Sequence, residues 1–148
     1  MIEPQPPGVL VDTNVISEFI RREPDPGVMD YVRRRTRLLL VPVVVLHELE
    51  YGLARMPPSR RRDRITSFVA DVERRYGERI LDLDRVRARE GARIRAQAER
   101  AGRTIGIADA LIAGTARAEG IPLATRNVRY FEGFGIQLLN PWEIPRGG

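Results

Sequence analysis

At 148 residues, with 43% hydrophobic and 30% charged side chains, the chain has the composition of one globular domain able to bury a core, not of a disordered or fibrous protein. It contains no cysteine, which excludes disulfide frameworks, thiolate metal sites and cysteine nucleophiles. The net charge is +5 and all 25 basic residues are arginine. Arginine's planar fork suits phosphate, which points toward nucleic acid or an acidic protein, although arginine in place of lysine throughout a chain also follows from codon composition.

Met1 to Gly8 is proline-rich and is expected to be a flexible lead rather than a signal peptide. Val9-Leu10-Val11 predicts a buried strand that stops at Asp12, after which Val15 to Ile20 has the spacing of an amphipathic helix. Glu23 to Gly27 is a turn, and Val28, Tyr31 and Val32 predict a short helix ending near Arg35. Leu38 to Val41 is the second expected strand, closed by Pro42. A helix from Val43 to Met56 then carries Leu46, Leu49 and Leu53 on one side and ends at Pro57-Pro58.

Ser59 opens a basic helix with Ile65, Phe68, Val69 and Val72 at helical spacing, stopped by Gly77. Arg79 to Leu83 is a third strand, with Asp84 as the cap of a long helix to about Ala101. A helix from Gly106 to Ala118 is rich in small residues that permit close packing on a sheet. Ile121 to Thr125 is a fourth strand, Asn127 to Phe131 a turn or short helix, and Ile136 to Leu139 a fifth strand. Alternating strands and helices predict an α/β fold with a parallel sheet covered on both faces. The longest apolar run, Leu38 to Leu46, is broken by Pro42 and too short to span a bilayer, so a cytoplasmic location and no membrane partner are expected.

Three acids stand out. Asp12 ends a strand at the sheet edge where open α/β folds bind ligands, though Asp12, Thr13 or Asn14 also suits a simple helix cap. Glu48 lies in the apolar run Val43 to Leu49, with Val44, Val45 and Gly52 rather than arginines as its helical neighbours; a solvated helix edge is the plainer reading. Asp109 sits in Ile107-Ala108-Asp109-Ala110-Leu111, where favourable interaction with the helix dipole alone would also account for it. All three fall where strands end or helices begin. Carboxylates gathered there repel one another and demand a cation, for which magnesium and phosphodiester hydrolysis are the natural pairing.

Other chemistries have little support. His47 is the only histidine, which rules out a two-histidine ribonuclease, and it reads as a helix-surface residue. There is no GxSxG elbow and no Walker loop, and Gly133-Phe134-Gly135 lacks the strand-to-helix context of a dinucleotide site.

At these residues the chain resembles the PIN-domain family, in particular the VapC-type (FitB-like) toxins of bacterial type II toxin–antitoxin pairs. Leu10 to Ser17 is similar to the family's opening motif and Glu48-Leu49 with Gly52 to its second. Ile107 to Ala113 is similar to its third, and Leu123 to Phe131 with Asn140-Pro141-Trp142 to its closing segment. The resemblance implies a three-layer α/β/α sandwich with a central parallel sheet of about five strands, in a single nuclease domain over 9–144 with a tail at 145–148. It further implies a magnesium- or manganese-dependent endoribonuclease that forms a homodimer and is inhibited by a cognate antitoxin inserting near the site.

By the same resemblance, Asp12, Glu48 and Asp109 are the metal-site acids, with Thr13, Asn14, Thr125 and Asn127 as supporting residues. Arg126 and Arg129 are candidate RNA contacts, while Arg85, Arg89 and Arg93, and the clusters Arg33 to Arg35 and Arg60 to Arg62, read as solvated faces. Asn127 stands where the family often has a fourth acid, and Tyr130 where many members have another aspartate. A catalytically weak PIN-like module that binds RNA or a protein without cutting is therefore the alternative expectation.

Overall fold

The computed structural model describes residues 8–144, so the lead up to Pro7 and the tail at 145–148 lie outside the described residues. Gly8, expected at the end of the lead, is buried; a Cβ there would lie 2.7 Å from Leu40 Cδ1. Five parallel strands form the sheet: β1 (Val9–Val11), β2 (Leu39–Pro42), β3 (Ile80–Leu81), β4 (Leu123–Ala124) and β5 (Leu138–Leu139), in the order β3-β2-β1-β4-β5. The central strands are apolar throughout because both of their faces are covered; Leu10, Val11, Leu39, Val41, Leu123 and Ala124 are wholly buried.

The helices are α1 (Thr13–Ser17), α2 (Pro26–Arg35), α3 (Val43–Ala54), α4 (Arg60–Tyr76), α5 (Arg85–Arg100), α6 (Ile107–Glu119) and α7 (Val128–Phe131). Side chains cap the starts of α1, α2, α4 and α5. Asp25 accepts from Gly27 and Val28 N, Ser59 Oγ from Arg62 N, and Asp84 from Arg87 N. Gly120 ends α6 in the left-handed conformation at φ 64°, where a side chain would be strained. A short 3-10 turn, Glu18–Ile20, follows α1. The buried Glu18 carboxylate accepts from Asp25 N at 2.9 Å and from Arg21, which fixes the approach to α2.

The small residues of α6 have a more specific use than contact with the sheet. A Cβ on Gly114 would fall 2.3 Å from Gly91 N, so α5 and α6 meet backbone to backbone at the Gly91–Gly114 crossing. No pair of larger residues permits that approach, and it sets the position of α6.

The strand order places the topological switch at β1, which pairs with β2 on one side and β4 on the other. At such a point the connections leave in opposite directions, opening a crevice at the carboxyl ends of the strands. Asp12 follows β1, Glu48 lies on the helix after β2, and Asp109 lies in the first turn of the helix before β4.

Candidate active site

Asp12 has extended backbone (φ −77°, ψ 160°) and caps α1, its Oδ1 accepting Thr13 N at 2.8 Å. Capping occupies only that oxygen. Its Oδ2 accepts Thr125 Oγ1 at 2.7 Å and Asn14 Nδ2 at 3.2 Å, so capping does not preclude a site role for this residue. Thr125 Oγ1 in turn accepts Asn127 N at 3.1 Å, which leaves its proton directed at Asp12. Asn14 Oδ1 accepts Arg126 N at 3.3 Å, tying the start of α1 to the loop after β4.

Glu48 is half-buried, and its Oε1 accepts Thr13 Oγ1 at 2.6 Å. Asp109 is also half-buried, in the first turn of α6, before which Gly106 N donates to the Tyr130 hydroxyl at 2.8 Å. The three acids line one open cleft of about 350 Å³, together with Thr13, Asn14 and Asn127. Ser17 also reaches this cleft, unanticipated from sequence; its Oγ is committed to Thr13 O at 2.8 Å, as its position one turn along the helix allows.

The electrostatics follow from this crowding. Burial raises the Asp12 carboxyl above its ordinary value and Glu48 adds repulsion, against the opposing hydrogen bonds from Thr125, Thr13 N and Asn14. Burial first, then repulsion from Asp12 and Glu48, push Asp109 from 3.8 up to about 6, with the Tyr130 hydrogen bond acting the other way. Asp109 lies in the first turn of α6, where the helix dipole favours a carboxylate. Burial and the two neighbouring carboxylates act against that help. Stabilisation by the dipole alone does not describe this residue.

The donor set is all oxygen, which suits a hard divalent cation rather than a soft one. Among the described residues, no three His, Cys, Asp or Glu side chains close into a ready-made ligand cluster. His47 is exposed on α3 and stacks on Tyr51 at 6.4 Å between ring centroids, as expected of a surface residue.

A second cleft of about 670 Å³ adjoins the first, sharing Asp109 and Asn127, and is lined by Arg126, Arg129 and Tyr130 among others. Arg126 is exposed, its guanidinium 5.2 Å from the centre of the Trp142 ring. Arg129 is likewise exposed on α7. Arg93 pairs with Glu90, while Arg85 and Arg89 are exposed, as expected of a solvated helix face. The bond between Gly106 N and the Tyr130 hydroxyl was not legible in sequence, where Tyr130 figured only as a departure from an acidic position.

With this geometry established, comparison with known proteins is informative. The family model described as PIN domain matches residues 9–134. The chain is 37% identical over 137 residues to "VapC ribonuclease Y4jK" of Sinorhizobium fredii, covering 91% of this chain and 98% of that protein. It is 30% identical over 142 residues to "Toxin FitB" of Neisseria gonorrhoeae, covering 90% and 98% respectively. Among solved structures, FitAcB from Neisseria gonorrhoeae superposes with a TM-score of 0.84 at 28% identity, over 92% of this chain and 99% of that one.

Proposed function

The chain belongs to the PIN-domain family, among its VapC-type toxins, and on that basis and the chemistry of its acid cleft we propose that it is a magnesium-dependent endoribonuclease. Manganese would serve as the alternative ion. In this reading it acts as the toxin of a toxin–antitoxin pair and hydrolyses RNA phosphodiester bonds. The observation that carries the proposal is the convergence of Asp12, Glu48 and Asp109 on one cleft, where burial and the neighbouring carboxylates raise the proton affinity of Asp12 and Asp109.

Asp12, Glu48 and Asp109 would hold the ion, and the open geometry suits one that keeps several of its own waters. When bound, such an ion supplies charge neutralisation at the scissile phosphate and an acidified water for in-line attack. The protein's part is positional. Thr125, Asn14 and Thr13 N hold both oxygens of Asp12, and Thr13 Oγ1 holds Glu48. To serve as a ligand Asp109 would have to be deprotonated, and its proton affinity is raised by burial and by the negative neighbours that a bound cation would offset. Arg126 and Arg129 border the adjoining cleft and would take phosphates on either side of the scissile bond. Asn127 brings no charge, so one tightly held ion is the expected complement.

The VapBC and FitAB assemblies to which the chain is structurally similar are toxin–antitoxin complexes, which supports a cognate antitoxin as partner. The homodimer is proposed from the family resemblance. No helix among the described residues is long and apolar enough to cross a membrane, and we assign the protein to the cytoplasm.

Incubation of the purified protein with cellular RNA and magnesium tests the reading. Cleavage by the wild type that Asp12→Asn and Asp109→Asn both abolish is the expected result. RNA binding with no cleavage and no magnesium uptake by calorimetry would instead leave the non-cutting module, for which the uncharged Asn127 is the favouring feature.

A further inference from the structure

We propose that Trp142 is a positioning residue for RNA binding: its indole holds the Arg126 guanidinium at the wall of the cleft beside Asp109, where that guanidinium takes a phosphate of the strand. The phosphate contact rests on the nuclease reading above; the meeting of the two side chains does not.

Arg126 and Trp142 come together because β4 and β5 pair in parallel, Leu123 opposite Leu138 and Ala124 opposite Leu139. The chain leaves both strands in the same direction, so the loop carrying Arg126 runs beside the turn carrying Trp142. Thr125 N donates to Leu139 O at 2.9 Å, which extends the pairing to the residue before Arg126. Asn140 then opens a tight turn. Its Oδ1 accepts Trp142 N at 3.0 Å and its backbone carbonyl accepts Glu143 N at 3.1 Å, while Pro141 fixes φ at the second position. Trp142 is half-buried and packs against the core, so its ring is a fixed platform.

Arg126 is anchored at both ends. Its backbone N donates to Asn14 Oδ1 at 3.3 Å, and Asn14 Nδ2 donates to Asp12 Oδ2 at 3.2 Å, which ties the root of the side chain to a site acid. Its guanidinium lies 5.2 Å from the centre of the Trp142 ring. An aromatic face attracts a guanidinium without taking up its charge or its N–H groups, whereas a carboxylate partner consumes both. Arg87 and Arg117 have the second kind of partner, in Glu119 and Glu90. Among the described residues the Arg126 guanidinium has no ion pair and no hydrogen bond, although Glu132 and Glu143 line the same cleft. Its charge and its fork of donors remain for a ligand, and phosphate matches that fork. Held against the ring, the side chain also has less rotamer freedom to lose on binding.

The cleft brings that phosphate next to the acids. It shares Asp109 and Asn127 with the acid cleft and carries Arg129 as a second exposed cation. A strand whose scissile phosphate lies at the acids therefore continues along a wall that presents Arg126. Such a contact, remote from the reacting atoms, acts equally on ground and transition states and governs KM rather than kcat.

The test uses single-stranded oligoribonucleotides of two unrelated sequences. Kd is read by anisotropy in the Asp12→Asn chain, so that the strand stays intact, and KM and kcat are read in the otherwise wild-type chain. Arg126→Met is expected to raise Kd and KM by about 10-fold at unchanged kcat, as a charge-assisted hydrogen bond is lost. The slope of log Kd against log salt should fall by about 0.7, the share of one phosphate on a single strand. Both sequences should weaken equally, because phosphate carries no sequence information. Trp142→Leu should raise Kd by about 3-fold, the worth of an exposed cation–π contact, and Trp142→Phe should restore most of it. The double variant should bind no worse than Arg126→Met, because the ring acts through the guanidinium. Trp142 is the only tryptophan, so its emission should change saturably as RNA is added.

An unchanged Kd or salt slope in Arg126→Met overturns the proposal, as does a weakening confined to one sequence. Losses that multiply in the double variant, a fall in kcat at constant KM, or tryptophan emission unmoved by saturating RNA overturn it equally. If the wild type binds RNA without cutting it, the nuclease reading fails while the binding titrations still decide this one. Should Trp142→Leu fail to fold, the exposed Arg126→Met and the emission titration carry the test.

Discussion

Thr125 and Asp12 lie 113 residues apart in sequence, yet the Thr125 hydroxyl donates to Asp12 Oδ2 at 2.7 Å inside the protein. The bond exists because β4 pairs with β1, with Leu10 opposite Leu123 and Val11 opposite Ala124, so the residue after each strand comes next to its counterpart. Thr125 is wholly buried and its hydroxyl also accepts Asn127 N. Replacing it with valine keeps the shape and removes these two bonds together with a third, from Asn14 Nδ2 at 3.4 Å. Thr125→Val should cost about 1–2 kcal/mol in urea unfolding, since buried partners are left unsatisfied. RNA cleavage should fall by about 10-fold or more, whereas Thr125→Ser retains most activity.

Stability should depend on pH through Asp109. Its carboxyl is raised from 3.8 to about 6, so between these values the folded state holds a proton that the unfolded chain has released. The contribution is therefore fully present below pH about 4 and is lost as pH rises through about 6. Because the side chain is only half-buried, solvent screening reduces it to about 1 kcal/mol. Without divalent ions, Asp109→Asn should be more stable than wild type at pH 7.5 by about that amount and should converge with it near pH 4. A gap between the two urea midpoints that stays constant across this range excludes the effect.

Magnesium should reverse that penalty. A ligand that binds only the folded state stabilises it by mass action, by about 2.7 kcal/mol at a concentration 100 times its Kd. Melting temperature should rise with magnesium in the wild type and stay level in Asp12→Asn and Asp109→Asn. Near pH 6, ion uptake should release a proton from Asp109, so the calorimetric heat should differ between buffers of different ionisation enthalpy.

The crossing of α5 and α6 offers a test remote from the chemistry. Gly114→Val places a branched side chain where even a Cβ meets Gly91 N at 2.3 Å, and backbone on the facing helix has little room to yield. A loss of about 3 kcal/mol in unfolding free energy is expected from overpacking of this kind. Asp109 rides on the displaced helix, so cleavage should suffer as well. Gly52→Ala, inside α3 where the added Cβ has no neighbour within 4 Å, should instead be stabilising by up to about 1 kcal/mol and serves as the contrasting comparison.

Local chemistry was readable in the residues themselves. The apolar runs at Val9–Val11 and Leu39–Pro42 become central strands, Asp84 and Ser59 become caps, and Gly77 ends α4 as expected, because each depends on neighbours a few positions away. The acids could be placed at one sheet edge for the same reason: strand ends and helix starts are local signals, and parallel topology aligns them. What depends on distant segments was decided only in three dimensions. The Thr125–Asp12 bond, the bond from Gly106 N to the Tyr130 hydroxyl, the rise of the Asp109 carboxyl to about 6 and the glycine crossing all join residues from different elements. Hydrogen bonds, desolvation and repulsion act over a few ångströms of space, and separation along a chain does not reveal which side chains will come that close.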